Sequence, residues 1–300
     1  MELNQFYTLA VNILIIIAFV LPVRFILAKY LGVNAKQELD KSDNAAFGVS
    51  IAGGALGLIL MLTGVMSGES MAVISEEIMS LIVYGILGYA MMMAGVLIQD
   101  KLVIRGVSLA KEISNGNMAA AIVVATNMAI VGLIAKKTIT WIDSDGLDGI
   151  VPILVVFAVS QLVLAVVVII RSAIYSMRNA KNSEKGFDVA STWPQAIASG
   201  NTAIALRYAG QLLATGIVIS ATSVVVDGDS STLAAIALTW LGTALGLTIL
   251  VWVGYRIFLP IVLFKVNVVE EVDHQNNIGV AAVEAALFVG LAFMATAYIA

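Results

Sequence analysis

The chain contains no cysteine and only one histidine, His274, in 300 residues. Without cysteine there can be no disulfide, thiolate metal site or cysteine nucleophile. A single imidazole excludes a multi-histidine metal centre within one chain. Charge is scarce too. Asp, Glu, Lys and Arg make up 12% of the residues, against about a quarter in soluble domains. The net charge of −4 gives no basic surface for nucleic acid. There is no phosphate-binding loop, no His-Glu-x-x-His zinc motif and no Gly-x-Ser-x-Gly nucleophile elbow. We therefore expect no enzyme activity, no cofactor and no metal ion.

What the chain has instead is apolar length. It is 60% hydrophobic, with a mean hydropathy of +1.00. Runs of about 18 or more apolar residues mark membrane-crossing helices. Candidate spans lie at roughly 8–28, 46–66, 77–98, 118–135, 150–171, 202–223, 234–255 and 278–298. The expected fold is all-α, a polytopic integral membrane protein of eight transmembrane helices. The first span has no Lys or Arg before it and no clear cleavage site, and reads as a retained helix.

The even-numbered spans share an opening. Asn44, Asn117, Asn201 and Asn277 each start an apolar run, and four and eight residues on stand Gly48/Ala52, Ala121/Ala125, Ala205/Ala209 and Ala281/Ala285. An Asn side chain can cap a helix start, and small residues one turn apart let helices approach closely. Gly53/Gly57 and Gly242/Gly246 add literal GxxxG pairs. The chain thus reads as four two-helix repeats, 1–70, 71–140, 141–226 and 227–300, all in one orientation. They are parallel repeats, unlike the inverted repeats of many transporters.

Basic residues set the orientation. The connections between spans 1–2, 3–4, 5–6 and 7–8 hold thirteen Lys and Arg, from Arg24 to Lys265 and including Lys185, against Lys136 and Lys137 on the other side. A Lys/Arg excess marks the cytoplasmic side, so both termini are expected outside, in the periplasm. The outer connections are acidic: Glu69, Glu76, Glu77, Asp143, Asp145, Asp148, Asp227 and Asp229. Each inner connection carries an amphipathic stretch that reads as a short interfacial helix. Pro260 is expected to kink or end span seven. Five or six residues before each Asn stands an acid or amide: Glu38, Glu112, Gln195 and Glu271. This collar reads either as local bonds of a solvated connector or as a cation-concentrating ring.

Arg207 and Glu284 fall six and seven residues into their helices, each roughly 9–10 Å from the helix start. A charge inside hydrocarbon costs about 2.5–3.5 kcal/mol, and pairing at a common depth offsets that. We expect an Arg207–Glu284 salt bridge in the bundle interior; the alternative is an Arg207 that snorkels to the interface. The pair reads as structural or as a gate. Asn127 and Gln211 share a position near mid-membrane, and Gln161 adds an amide in span five.

The Gly-Asn-x-Ala-x-Ala opening, the preceding Glu and the paired spans, clearest from Glu112 to Gly132, resemble the YjfL-type bacterial membrane family, domain of unknown function 350. The likeness covers nearly the whole chain and is looser at Asn277 and at Asp43–Asn44. It implies a bacterial inner-membrane location and a membrane-stress role beside coat proteins of the phage-shock type. It implies no catalytic residues. Two functions remain open. One is a structural or scaffold component of the inner membrane, embedded in lipid, oligomeric, acting through cytoplasmic or membrane-coat partners. The other is an ion channel or small-solute transporter with a path near Arg207 and Glu284.

Overall fold

Long apolar runs with no water to bond their backbones must satisfy themselves internally, and the helix does this. The computed structural model describes residues 3–67, 74–142, 149–183, 190–226 and 232–299. Glu69, Asp143, Asp145, Asp148, Asp227, Asp229 and Lys185 lie outside these. Among the described residues there is no strand. The α-helices are α1 (Leu3–Val20), α2 (Val23–Leu31), α3 (Ala35–Asp40), α4 (Ala45–Met66), α5 (Ile74–Leu97), α6 (Leu109–Ser114), α7 (Met118–Ile142), α8 (Ile150–Ser183), α9 (Trp193–Ala198), α10 (Thr202–Ala221), α11 (Leu233–Val262) and α12 (Ile278–Ala297). Eight helical stretches are long and apolar enough to cross a membrane, α1 and α2 counting together as the first.

Three elements differ from the sequence reading. The first span is broken at Pro22, which stands as the N-cap of α2, because proline has no N–H for the preceding turn. Span five runs on past residue 171 to Ser183, since no Gly or Pro interrupts it. Span seven also runs on, past Pro260, but ends two residues later at Val262.

The four Asn-led helices form one row. α4 packs on α7, α7 on α10 and α10 on α12, while among the described residues α12 makes no comparable contact with α4. The other spans flank the row: α5 lies against α4 and α7, α8 against α11, α7 and α10, and α11 against α12, α8 and α10. The row is held by small residues. A side chain at Gly53 would strike the backbone of Ala125, and one at Gly210 the backbone of Ala285. Counted from the capping Asn, these are the same contact, position nine of one helix against position eight of the next. Gly57 and Gly132 meet backbone to backbone, and Gly216 meets Ile130. By contrast, Gly242 and Gly246 on α11 have open space beside them, so among the described residues that GxxxG pair closes no helix contact.

Candidate functional site

The interfacial connectors begin the site. α3, α6 and α9 are single-turn helices capped by Asn34, Ser108 and Thr192, whose side chains accept from the third backbone N–H. In the fourth repeat a π-helical turn, Glu270–His274, takes the same place. The chain then reverses through a left-handed residue: Asp43, Gly116, Gly200 or Asn276. Glycine adopts that conformation without strain, and Asp and Asn tolerate it. The next residue is the repeated Asn.

Each Asn is a joint. Its Oδ1 accepts from the backbone N–H three residues on: Phe47 at 3.0 Å, Ala120 at 3.2 Å, Ile204 at 2.9 Å and Val280 at 3.2 Å. Its Nδ2 does the rest. Asn44, Asn117 and Asn277 donate to Glu38 (2.8 Å), Glu112 (3.0 Å) and Glu271 (2.7 Å) of their own repeats. Asn44 also donates to the Ile113 carbonyl at 3.0 Å, Asn117 to Ile197 at 2.9 Å, and Asn201 to Val272 at 3.2 Å. Every one of those carbonyls belongs to the connector of the following repeat. The repeats are therefore buttoned head to tail. Among the described residues Asn277 meets Glu271 alone, and the Asp40 carbonyl, the counterpart of Ile113, receives no asparagine amide.

The acidic collar is not a ring of free carboxylates. Glu38, Glu112 and Glu271 are half-buried and each holds its own Asn. Gln195 does something else: its Oε1 accepts from Ser191 Oγ (2.8 Å) and from the Thr192 backbone N–H (3.2 Å), closing a capping box on α9.

The structure brings Arg207 and Glu284 together. Arg207 Nε donates to Glu284 Oε2 at 2.6 Å, with 8% of the Arg and 1% of the Glu exposed. Arg207 Nη1 donates to Asp273 Oδ1 at 2.5 Å and Nη2 to the Val268 carbonyl at 3.1 Å, so the side chain lies inside the bundle and does not snorkel. The Tyr255 hydroxyl donates to Glu284 Oε1. Arg178 Nη2 lies 3.2 Å from Asp273 Oδ2. Arg171 stands over the Trp252 ring at 4.2 Å, with Phe288 at 5.3 Å. Asp273, Arg178, Arg171 and Tyr255 were not singled out from the sequence. Asp273 left a trace there: it stands four residues before Asn277, where the two central repeats have Ile113 and Ile197. Arg171 and Arg178 entered only as orientation markers.

Asn127 and Gln211 are both buried, at 0% and 3% exposure, but no hydrogen bond joins them. Asn127 Oδ1 and the Gln161 side chain face Gly95 of α5, which has no side chain to fill the space between them. Neither the Asn127 nor the Gln161 amide has a hydrogen-bond partner among the described residues. Gln211 instead borders a cavity of about 30 Å³ shared with Arg171, Tyr175, Arg178, Trp193 and Arg207. A larger recess of about 470 Å³, almost wholly apolar, opens between α8 and α11 with Arg256 in its wall.

Eight apolar helices of membrane-crossing length among the described residues, with a buried ion-pair cluster of Arg207, Asp273 and Glu284, define an all-α, multi-pass membrane protein. The model of the family described as Domain of Unknown Function (DUF350) matches residues 1–139 and 145–299, and the chain belongs to that family. Each matched segment takes in two of the helix pairs. No curated protein and no solved structure matches the chain.

Proposed function

We propose that this chain is a structural component of the bacterial inner membrane that assembles with further copies of itself and presents its cytoplasmic connectors to partner proteins, in the envelope role that the family resemblance implies. The observation that carries this is the head-to-tail row. Two of the three internal junctions use position nine after the Asn, Gly53 in α4 and Gly210 in α10, with small residues, Gly57 and Ala214, at position thirteen. In α12 those positions are Ala286 and Gly290, and both are exposed. On α4 the receiving position, Ala52, is exposed as well; its counterparts Ala125 and Ala285 meet glycines. Both ends of the row thus present exposed small residues at the positions the internal junctions use, with Ala286 in place of glycine and so a looser approach than at Gly53 or Gly210. Such unlike, complementary ends give rings or open arrays of copies. Both termini face the periplasm in this reading, and catalysis plays no part in it.

The absence of cysteine supplies the test. Chains carrying Ala52→Cys and chains carrying Ala286→Cys are co-expressed and oxidised in native membranes. The expected product is a mixed disulfide dimer, with little dimer from either variant alone. Dimers of Ala286→Cys with itself would replace the head-to-tail arrangement with a two-fold one. No crosslink at all would sink self-assembly.

A second reading, passage of a small ion, is favoured by the cavity beside Arg207 and by the unpaired Asn127 and Gln161 amides. Flux in proteoliposomes that disappears in Arg207→Ala, with folding preserved, would move the assignment to transport.

A further inference from the structure

The cavity bordered by Arg171, Arg178 and Gln211 has an uncompensated charge. Three guanidinium groups, Arg171, Arg178 and Arg207, share two carboxylates, Asp273 and Glu284. The neighbouring Glu270, 3.1 Å from His274, has its side chain 41% exposed to solvent and pairs with none of the three guanidinium groups among the described residues. Arg207 uses Nε, Nη1 and Nη2 on Glu284, Asp273 and Val268, and Arg178 takes the second oxygen of Asp273. No carboxylate remains for Arg171. Its Nε and Nη2 are buried and have no hydrogen-bond partner among the described residues. The aromatic rings of Trp252 and Phe288 offset part of its burial, but a ring face supplies no lone pair for an N–H in the guanidinium plane.

The other unpaired atoms around the cavity have the same sense. Arg178 Nε and Gln211 Nε2 lack acceptors, and Gln211 is 3% exposed. The two tyrosines in the wall are committed, Tyr175 donating to the Ala190 carbonyl and Tyr208 to Gln99 Oε1. The fully buried unpaired side-chain atoms on the lining are therefore all donors. Water would fill the space but brings no charge to set against the third guanidinium. An acceptor that carries one negative charge matches both the donors and the excess charge. The space, about 30 Å³, has room for one atom of halide size.

We propose that this cavity is a binding site for a monovalent halide of the chloride class, held by Arg171 with Arg178 and Gln211. The site does not depend on self-assembly, and it would hold in a scaffold as well as in a transporter. In a scaffold the ion locks α8 to α10.

The test uses the full-length chain purified without halide, in sodium gluconate at fixed ionic strength. Replacing gluconate by chloride or bromide is expected to raise the melting temperature saturably, by about 5 °C at a hundredfold excess over Kd. It is also expected to change the fluorescence of Trp252 and Trp193, the two tryptophans nearest the site. Gln211→Leu is expected to weaken the half-saturation point about tenfold. Arg171→Gln is expected to abolish both responses, and Arg171→Lys to keep a weakened one. An equal melting temperature in chloride and gluconate would overturn the proposal. So would a halide response left unchanged in Gln211→Leu and Arg171→Lys. If Arg171→Gln fails to fold, these last two variants decide. Halide binding without chloride flux would leave the site in place and remove the transport reading.

Discussion

Arg207 Nε and Glu284 Oε2 stand 2.6 Å apart, joining α10 of the third repeat to α12 of the fourth, 77 residues on in sequence. Both are almost fully buried. Removing one partner of such a pair leaves an uncompensated charge inside. Arg207→Ala and Glu284→Ala are each expected to destabilise the folded chain by about 3–5 kcal/mol. Replacing both, Arg207→Met with Glu284→Leu, is expected to cost less than either alone, because Asp273 keeps Arg178. Thermal unfolding in one detergent compares the three; a double variant as weak as the sum of the singles would contradict the coupling.

The small-residue contacts can be separated from the open ones. Gly57→Leu would drive a side chain into the backbone carbonyl of Met128 and is expected to lower stability by at least about 3 kcal/mol. Gly242→Leu has open space and is expected to stay within about 0.5 kcal/mol. Size-exclusion profiles of fluorescent fusions read both. Equal loss in the two variants would mean that the α11 glycines pack against something outside this chain.

The asparagine joints should not be equal in strength. Asn117→Ala removes a cap, a bond to Glu112 and the ties to Ile197 and Ala198. Asn277→Ala removes a cap and a bond to Glu271. A cap is worth about 1 kcal/mol and a net hydrogen bond about another. Asn117→Ala is therefore expected to be the more destabilising by about 1–2 kcal/mol, measured by melting temperature in the same detergent.

Orientation can be read by labelling. Lys111→Cys, beside the connectors, is expected to resist a membrane-impermeant maleimide in intact cells and react after permeabilisation. Lys137→Cys, at the far end of α7, is expected to react in intact cells. The reverse pattern would turn the topology over.

The spans and their repeat were legible because a helix in lipid needs only length, apolarity and a cap, and all three are local. The Arg207–Glu284 contact was legible because two opposite charges at one depth leave few other solutions. The remainder of the cluster was not. Asp273 and Arg178 sit in or beside connectors whose sequence reads as solvated, and only the π-helical turn at Glu270–His274 carries Asp273 inward to Arg207. Arg171 reads as the end of a span because the apolar run stops there, although the helix itself continues to Ser183. The collar was misleading for a related reason. The similar spacing of Glu38, Glu112, Gln195 and Glu271 before each Asn suggests a common role, but the capping box of α9 takes Gln195 for itself.

The buttoning of each asparagine onto the connector that follows also imposes an order on biogenesis. A ribosome delivers the chain from Asn44 towards Asn277, and each joint waits for a carbonyl not yet made. α10 reaches the bilayer with Arg207 before Asp273 and Glu284 have been synthesised. Until α12 arrives, the third repeat has a cationic helix with no counter-charge, so the final hairpin serves as the latch that commits the whole row to the membrane.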